Sequence, residues 1–226
     1  MIPMVSSAGA ALSVIRRRSF VKQLWVNGLG FTHEIAVHKI PGAAAGDPPW
    51  LWRLSMADLT TGRGAFSKIH GVNRCLTLLS GELELAIDSG EMTRLPLHVP
   101  FPFPSDVPTH SIVSRPGYDL NLMWSRERAT GKVSIHCENE RAVPLGVTDE
   151  SDAASGALAF AVAVGGEASV SLVALAADDG AMEDEVVERV VLSKDDVMRV
   201  DLDPMWTARG LRVDSGRIAL CELFVR

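Results

Sequence analysis

The sequence is poor in cysteine and lacks the patterns of membrane and secreted proteins. Its three cysteines, Cys75, Cys137 and Cys221, are far apart and form no CxxC pair. Neither a disulfide framework nor a thiolate metal cage is therefore indicated, and a reducing cytoplasm fits best. No run of about eighteen apolar residues occurs, which argues against a membrane span. The basic residues 16–18 follow the apolar start instead of preceding it, which is the wrong order for a secretory signal.

An excess of positive charge is also missing. The formal charge is −6 and the isoelectric point is near 5.5, which argues against affinity for nucleic acid or for an anionic membrane. A small anionic ligand stays compatible with this charge, because a pocket can be locally positive on an acidic protein. Hydrophobic residues make up 47% and charged residues 22% of the 226 residues, which is typical of a globular protein.

No long amphipathic helix pattern is present, and the dominant hydrophobic period is two. Leu83, Leu85 and Ile87 alternate with acidic residues, as expected for a strand with one buried face. Residues 211–220 predict a hairpin around the turn Asp214-Ser215-Gly216. Many short strands separated by Gly, Asp and Ser turns predict an all-β sandwich or barrel.

The chain is predicted to contain two β-units. Leu79-Ser80-Gly81-Glu82, which precedes alternating strands, has an echo in Val164-Gly165-Gly166-Glu167. The polar stretch 148–155 predicts the boundary, so residues 13–148 form the first unit and residues 149–226 the second, smaller one. Residues 1–12 are expected to be a disordered extension. Open sheet edges favour a homodimer, because they invite pairing.

Seven short motifs follow one another in order between residues 25 and 126. They are Trp25-Val26-Asn27-Gly28 with Gly30-Phe31-Thr32-His33-Glu34-Ile35, Trp52-Arg53-Leu54-Ser55-Met56-Ala57, Gly64-Ala65-Phe66-Ser67, Gly71-Val72-Asn73-Arg74, Leu79-Ser80-Gly81, Phe103-Pro104-Ser105-Asp106 and Asp119-Leu120-Asn121-Leu122-Met123. This series resembles the motifs of the HutD/Ves family. His33, His70 and Ser105 depart from the residues that are usual at their positions in that family.

The resemblance implies a bicupin, which has two cupin-type β-barrels of the RmlC-like jelly-roll kind in one chain, without a metal or other cofactor. It also implies a sensing or regulatory role in histidine catabolism. A metal-binding cupin carries an H-x-H pair on a strand, a carboxylate and a third histidine. The six histidines of this chain are isolated and include no H-x-H. His70, His110 and Asp106 could meet across a barrel, but a metal site is not predicted.

The predicted binding site consists of polar residues in these motifs. Arg53 and Ser55 are two apart on an extended segment, so their side chains share one face, and a guanidinium grips a carboxylate in bidentate geometry. The expected ligand is therefore a small anionic carboxylate or formyl metabolite. The predicted ligand-binding residues are Arg53, Ser55, Ser67, Arg74, Asn121 and Phe103. The predicted supporting network is Glu34, Asp106 and Asp119.

Two alternatives stay open for these residues. Arg53 and Arg74 could instead pair with buried Glu34 and Asp119 in a structural network, because buried charges need partners. Asp119 could be a general base, although a lone carboxylate more often orients an arginine or closes a turn. The first functional hypothesis is therefore a binding protein with no catalytic residue. The second is a metal-free isomerase, lyase or hydrolase in which Asp119 or His70 carries a proton, and the third is a metal oxygenase.

Overall fold

The computed structural model describes residues 5–7, 10–25, 30–41, 48, 50–146, 156–175, 184–202 and 209–226, and strands dominate these residues. In chain order the strands are β1 (Val5–Ser7), β2 (Ala10–Ile15), β3 (Val21–Leu24), β4 (Phe31–Lys39), β5 (Trp50–Leu59), β6 (Gly62–Ala65), β7 (Val72–Ile87), β8 (Thr93–Arg94), β9 (Pro100–Pro104), β10 (Thr109–Ser125), β11 (Ala129–Cys137), β12 (Val143–Pro144), β13 (Gly156–Ala163), β14 (Ala168–Ala174), β15 (Glu185–Leu192), β16 (Val197–Leu202), β17 (Arg209–Ser215) and β18 (Arg217–Val225). A 3-10 turn over Arg17–Ser19 joins β2 to β3. The prediction of an all-β chain is confirmed, and no described helix has the length and hydropathy of a membrane span.

The chain folds into two compact units. Ser19–Gly131 form one, and Met1–Arg18 with Lys132–Arg226 form the other. We call them the 19–131 unit and the 132–226 unit. This division differs from the predicted boundary, because β11 pairs with β18 and thereby joins the later unit. The polar stretch 148–155, where the boundary was predicted, lies outside the described residues.

The N-terminal segment also differs from the prediction of a disordered extension over residues 1–12. β1 and β2 pair with each other, and β2 pairs with β16 from Val197↔Ile15 to Leu202↔Ala10. Leu12 is buried in the core of the 132–226 unit. Residues 5–7 and 10–15 therefore form an outer pair of strands, whose partner β16 could not be predicted from the sequence.

The 19–131 unit contains one sheet in the order β3-β4-β5-β10-β7-β8, with β6 paired to β10 and β9 paired to β7. β7 and β10 are its longest strands, and they pair with each other over almost their whole length. Each of the two has different neighbours at its two ends. β10 pairs with β5 through residues 117–124 and with β6 through residues 110–113.

This pair of long strands bends in the middle, where the register shifts several times between Val113 and Asp119. Gly81 has a φ of 91° at this point, and a Cβ atom on Gly117 would lie 2.1 Å from the carbonyl oxygen of Ser80. Only glycine permits such close backbone approach. The motif Leu79-Ser80-Gly81 therefore lies at a bulge inside one continuous strand.

The bend lets both ends of the long strands line one core. Leu76 and Leu78 before the bend and Leu83 and Leu85 after it belong to the same cluster of buried side chains, which also includes Phe103. All four leucines are at most 1% exposed. The predicted alternation of Leu83 and Leu85 with acidic residues thus reflects one buried face, and the core lies against the inner face of the bent sheet.

The 132–226 unit contains two sheets, in the orders β1-β2-β16-β13-β18-β11 and β12-β17-β14-β15. Residues of both sheets form one buried cluster, including Ala161 and Leu220 of the first and Leu172 and Leu211 of the second. The predicted hairpin over residues 211–220 is wrong in its pairing. β17 and β18 are joined at Gly216 but belong to different sheets, so the tight turn connects two layers instead of two paired strands.

Candidate functional site

Three neighbouring strands of the 19–131 unit bring the two predicted arginines into one row. Met123 on β10 is the partner of Arg53 on β5 and of Arg74 on β7, and Arg74 is in turn the partner of Phe103 on β9. Residues directly opposite each other on antiparallel strands point to the same face of the sheet. Arg53, Arg74 and Phe103 therefore share one face, and the burial of Phe103 in the core identifies it as the inner one.

The next two rows of the same face carry the other polar residues. Ser55 is paired with Asn121, and Ala57 is paired with Asp119. Ser55, Asn121 and Asp119 are 1%, 4% and 0% exposed. Because side chains two residues apart on a strand share a face, these three project to the side on which Arg53 and Arg74 lie. We call Arg53, Ser55, Arg74, Asn121 and Asp119 the polar face.

Arg53 has an acidic partner. Its Nε atom lies 3.0 Å from Oε2 of Glu34, and one of its terminal nitrogens donates to Oε1 of Gln23 at 3.0 Å. The pair is largely shielded, with side-chain exposures of 18% for Arg53 and 16% for Glu34. For Arg53, therefore, the ion pair with Glu34 that the sequence left open as an alternative is present.

Arg74 is different, because no carboxylate of the described residues lies within ion-pair distance of it. It is 6% exposed, and its buried Nε atom has no hydrogen-bond partner in the described part of the chain. The guanidinium instead lies over two aromatic rings, 5.0 Å from the centre of Phe66 and 5.7 Å from that of Phe103. Desolvation lowers the pKa of Arg74 to about 10, the charge of Asp119 opposes this effect, and that of Arg53 adds to it.

Asp119 and Asn121 form a buried polar pair beside this arginine. The Nδ2 atom of Asn121 donates to Oδ1 of Asp119. Oδ2 of Asp119 and Oδ1 of Asn121 have no partner among the described residues. Burial raises the pKa of Asp119 to about 7, whereas the charge of Arg74 and the hydrogen bond from Asn121 act in the opposite direction. Two acceptor atoms are therefore buried without donors on the polar face.

Two of the predicted residues lie elsewhere. Ser67 is exposed, and no described contact joins it to the polar face. Asp106 binds Arg126 with Nη2 at 3.0 Å from Oδ1 and 3.2 Å from Oδ2, and this hydrogen bonding lowers the pKa of Asp106. Arg126 also donates to Asn73, so this network holds a strand end and does not support the polar face.

Phe66 is a site residue that is absent from the predicted ligand-binding set. It packs edge-on against Phe103, with the ring centres 6.3 Å apart, and covers Arg74. Its position in the third motif, directly before the predicted ligand-binding residue Ser67, is the feature of the sequence that could have identified it as a site residue. The motif therefore contributes its aromatic residue to the site and not its hydroxyl.

Metal ligands do not gather in the described residues, where no group of three His, Cys, Asp or Glu side chains could hold an ion. His70 and His110, which the sequence brought together with Asp106 as an alternative, are both exposed. His33 lies 3.2 Å from Asp58 instead. The polar face therefore offers the guanidinium of Arg74 and two hydrogen-bond acceptors, on Asp119 and Asn121. The rings of Phe66 and Phe103 pack over the guanidinium.

These features define an all-β, cupin-like protein with a buried arginine on the inner face of a bent sheet. The chain belongs to the HutD family, whose profile matches residues 17–203. The family predicted from the seven motifs is therefore confirmed.

Individual relatives agree with this assignment. The chain is 36% identical over 121 residues to Protein Ves of Citrobacter koseri, which covers 52% of the chain and 60% of that protein. It is 36% identical over 78 residues to an uncharacterized 21.2 kDa protein in the hutC 3′ region of Pseudomonas putida, covering 34% and 38%. The structure of HutD from Pseudomonas fluorescens SBW25, determined in a formate condition, superposes with a TM-score of 0.69 at 27% identity over 96% of this chain and 100% of that one.

Proposed function

We propose that this protein binds a small anionic metabolite on the polar face, with Arg74 as the principal anchor. The observation that carries the proposal is the buried guanidinium of Arg74, which has no carboxylate partner in the part of the chain that the structure describes. A buried charge is costly unless it is paired and hydrogen-bonded. A carboxylate or formyl oxygen of a ligand would supply the missing partner, and the rings of Phe66 and Phe103 would shield the contact from water.

Arg53 has a secondary role in this proposal. Glu34 already neutralises it, so its remaining contribution is to hold Gln23 and to add positive potential around Arg74. The unpartnered Oδ atoms of Asp119 and Asn121 can accept hydrogen bonds. The ligand that fits best therefore has an acidic group at one end and an N–H or O–H donor at the other.

We further propose a sensing or regulatory role in histidine catabolism, with the two units as the two cupin barrels of a bicupin. This rests on the names of the relatives, which are HutD in one case and a protein of a hutC region in another.

A thermal-shift screen tests the binding proposal. The panel contains urocanate, formiminoglutamate, N-formylglutamate, glutamate and formate, with neutral analogues at the same concentration. A ligand at about a hundred times its dissociation constant adds about 2.7 kcal/mol to the free energy of unfolding. We expect an acidic compound to stabilise the wild type and Arg126→Met but not Arg74→Met.

Arg126→Met is the matched control, because it removes an arginine that is paired with Asp106 away from the polar face. The binding proposal would be abandoned if Arg74→Met kept the ligand response of the wild type, or if no anion shifted either protein. A loss of stability in Arg74→Met alone does not decide the matter, since the ligand-induced difference is what is compared.

A second candidate is a metal-free enzyme in which Asp119 transfers a proton. It is favoured by one observation, the pKa of about 7 at a buried carboxyl with an unpartnered oxygen. Turnover of a panel compound that depends on pH and disappears in Asp119→Asn would support it. Saturable binding with no product would contradict it and leave the binding role.

A further inference from the structure

A second polar arrangement lies in the 132–226 unit, at the end of β11. The Oγ atom of Ser134 lies 2.8 Å from Nε2 of His136. The Nδ1 atom of the same imidazole lies 3.0 Å from Oε2 of Glu140. Ser134 and His136 are two residues apart on a strand and share a face. Asn139, whose φ is 68°, turns the chain so that Glu140 comes back onto the imidazole.

These contacts fix the proton positions. A carboxylate of Glu140 can only accept a hydrogen bond, so the Nδ1 atom of His136 must carry the hydrogen in a neutral ring. The Nε2 atom then has a free electron pair and accepts the hydrogen of the Ser134 hydroxyl. A hydroxyl bonded to an imidazole that is oriented by a carboxylate is the arrangement that activates serine in unrelated enzymes, where it is recognised by geometry and not by sequence order.

The surroundings of this arrangement are accessible and partly cationic. The side chain of His136 is 16% exposed and that of Glu140 is 49% exposed. Lys132, two residues before Ser134 on the same face, is exposed and interacts electrostatically with buried Glu222.

An open hollow of about 360 Å³ adjoins Glu140. Glu140 lines it together with Asn139, Arg141, Arg212, Val213 and Asp214. Its size is that of a site for a small molecule. The hollow lies on the Glu140 side of the imidazole, and neither Ser134 nor His136 is among its lining residues.

We propose that Ser134 is an activated nucleophile that hydrolyses small carboxylic esters, with His136 as its base and Glu140 as a positioning residue. The Oγ atom attacks the ester carbonyl carbon while His136 takes the hydroxyl proton, and the departing alkoxide receives that proton as the C–O bond breaks. Water then attacks the acyl group on Ser134, and the proton returns to Oγ through His136. The sum is ester plus water giving acid plus alcohol.

This site is independent of the polar face, so its test does not depend on the ligand of Arg74. The full chain is incubated with an alkyl fluorophosphonate, which phosphonylates activated serines with loss of fluoride, and the modified residue is located by peptide mass spectrometry. We expect labelling at Ser134 that is absent in Ser134→Ala. The control is Ser67→Ala, which removes an exposed serine that has no hydrogen bond to a histidine among the described residues. This variant should be labelled at Ser134 as fast as the wild type.

Removing the base should slow labelling by roughly 100-fold in His136→Gln, the usual effect of losing a positioned general base. Glu140→Gln should slow labelling with an unchanged unfolding temperature, which a merely structural contact would not produce. Hydrolysis of p-nitrophenyl acetate should follow the same order. The proposal is wrong if Ser134 is not modified, or if wild type and His136→Gln are modified at equal rates.

Discussion

Replacing Asp119 with asparagine is expected to remove a large part of the pH dependence of stability in the 19–131 unit. The carboxyl is fully buried on β10, and burial raises its pKa from 3.8 to about 7 in the folded state. In the unfolded chain the side chain is hydrated and has its ordinary pKa. Asparagine keeps the shape and the acceptor for Asn121 but has no proton to lose.

The sign follows from where the proton is held. Between about pH 4 and pH 7 the folded protein retains a proton on Asp119 that the unfolded chain has lost, so the free energy of unfolding falls as pH rises through this window. Below the window both states are protonated, and above it both are ionised. The difference between the two pKa values corresponds to about 4 kcal/mol at most. The wild type should therefore lose up to that amount relative to Asp119→Asn between pH 4 and pH 8.

Urea unfolding followed by tryptophan fluorescence measures this difference. Trp25, Trp50, Trp52 and Trp124 lie in the 19–131 unit, so the signal reports mainly on the unit that contains Asp119. At about pH 4.5 and again at about pH 8, the unfolding free energy of the wild type is subtracted from that of Asp119→Asn. The contributions of other titrating groups cancel in this difference, so its change between the two pH values reports on Asp119. A difference that stays constant over this range would refute a protonated Asp119 in the folded state.

Two further predictions concern the frame around the polar face. Gly117→Ala should lower the free energy of unfolding by at least about 3 kcal/mol, because the new Cβ would meet the carbonyl oxygen of Ser80 at 2.1 Å. The control in the same urea assay is Gly64→Ala, whose new Cβ meets only a side-chain hydroxyl at 3.3 Å. Equal losses of stability in the two variants would contradict the close backbone approach at Gly117. Asp106→Asn should cost less than about 1 kcal/mol at neutral pH, because its bond to Arg126 lies at the surface, and a larger loss would mean that Asp106 does support the site.

The fold class could be predicted because its signal is local. Alternation of Leu83 and Leu85 with acidic residues depends only on the pleat of one strand, and glycine and turn residues mark where strands end. Pairing between strands is not local, and there the predictions failed. The sequence at residues 211–220 has the turn and flanking alternation of a hairpin, yet the two strands belong to different sheets, whose apolar side chains meet in one core.

The Ser134 arrangement shows a related difficulty. Ser134, His136 and Glu140 lie within seven residues, so their spacing was visible in the sequence. What could not be read there is the left-handed conformation of Asn139, which returns Glu140 to the imidazole. Without that turn the carboxylate would continue away from His136 along an extended chain, and the tautomer of the ring would be undetermined.

Strand order explains why one predicted arginine is paired and the other is not. β4 is adjacent to β5, so Glu34 reaches Arg53. β7, which carries Arg74, lies three strands from β4, and at about 4.8 Å per strand this separates the two backbones by about 14 Å. Asp119 lies on the strand next to β7, but its partner there is Leu78 and not Arg74. Leu78 is four residues beyond Arg74, which corresponds to about 13 Å along the strand backbone. The charge of Asp119 is therefore felt at Arg74 without an ion pair. The sequence contained both arginines and both acids, but only the order and register of the strands decide that, among the described residues, Arg74 is the one without a carboxylate partner.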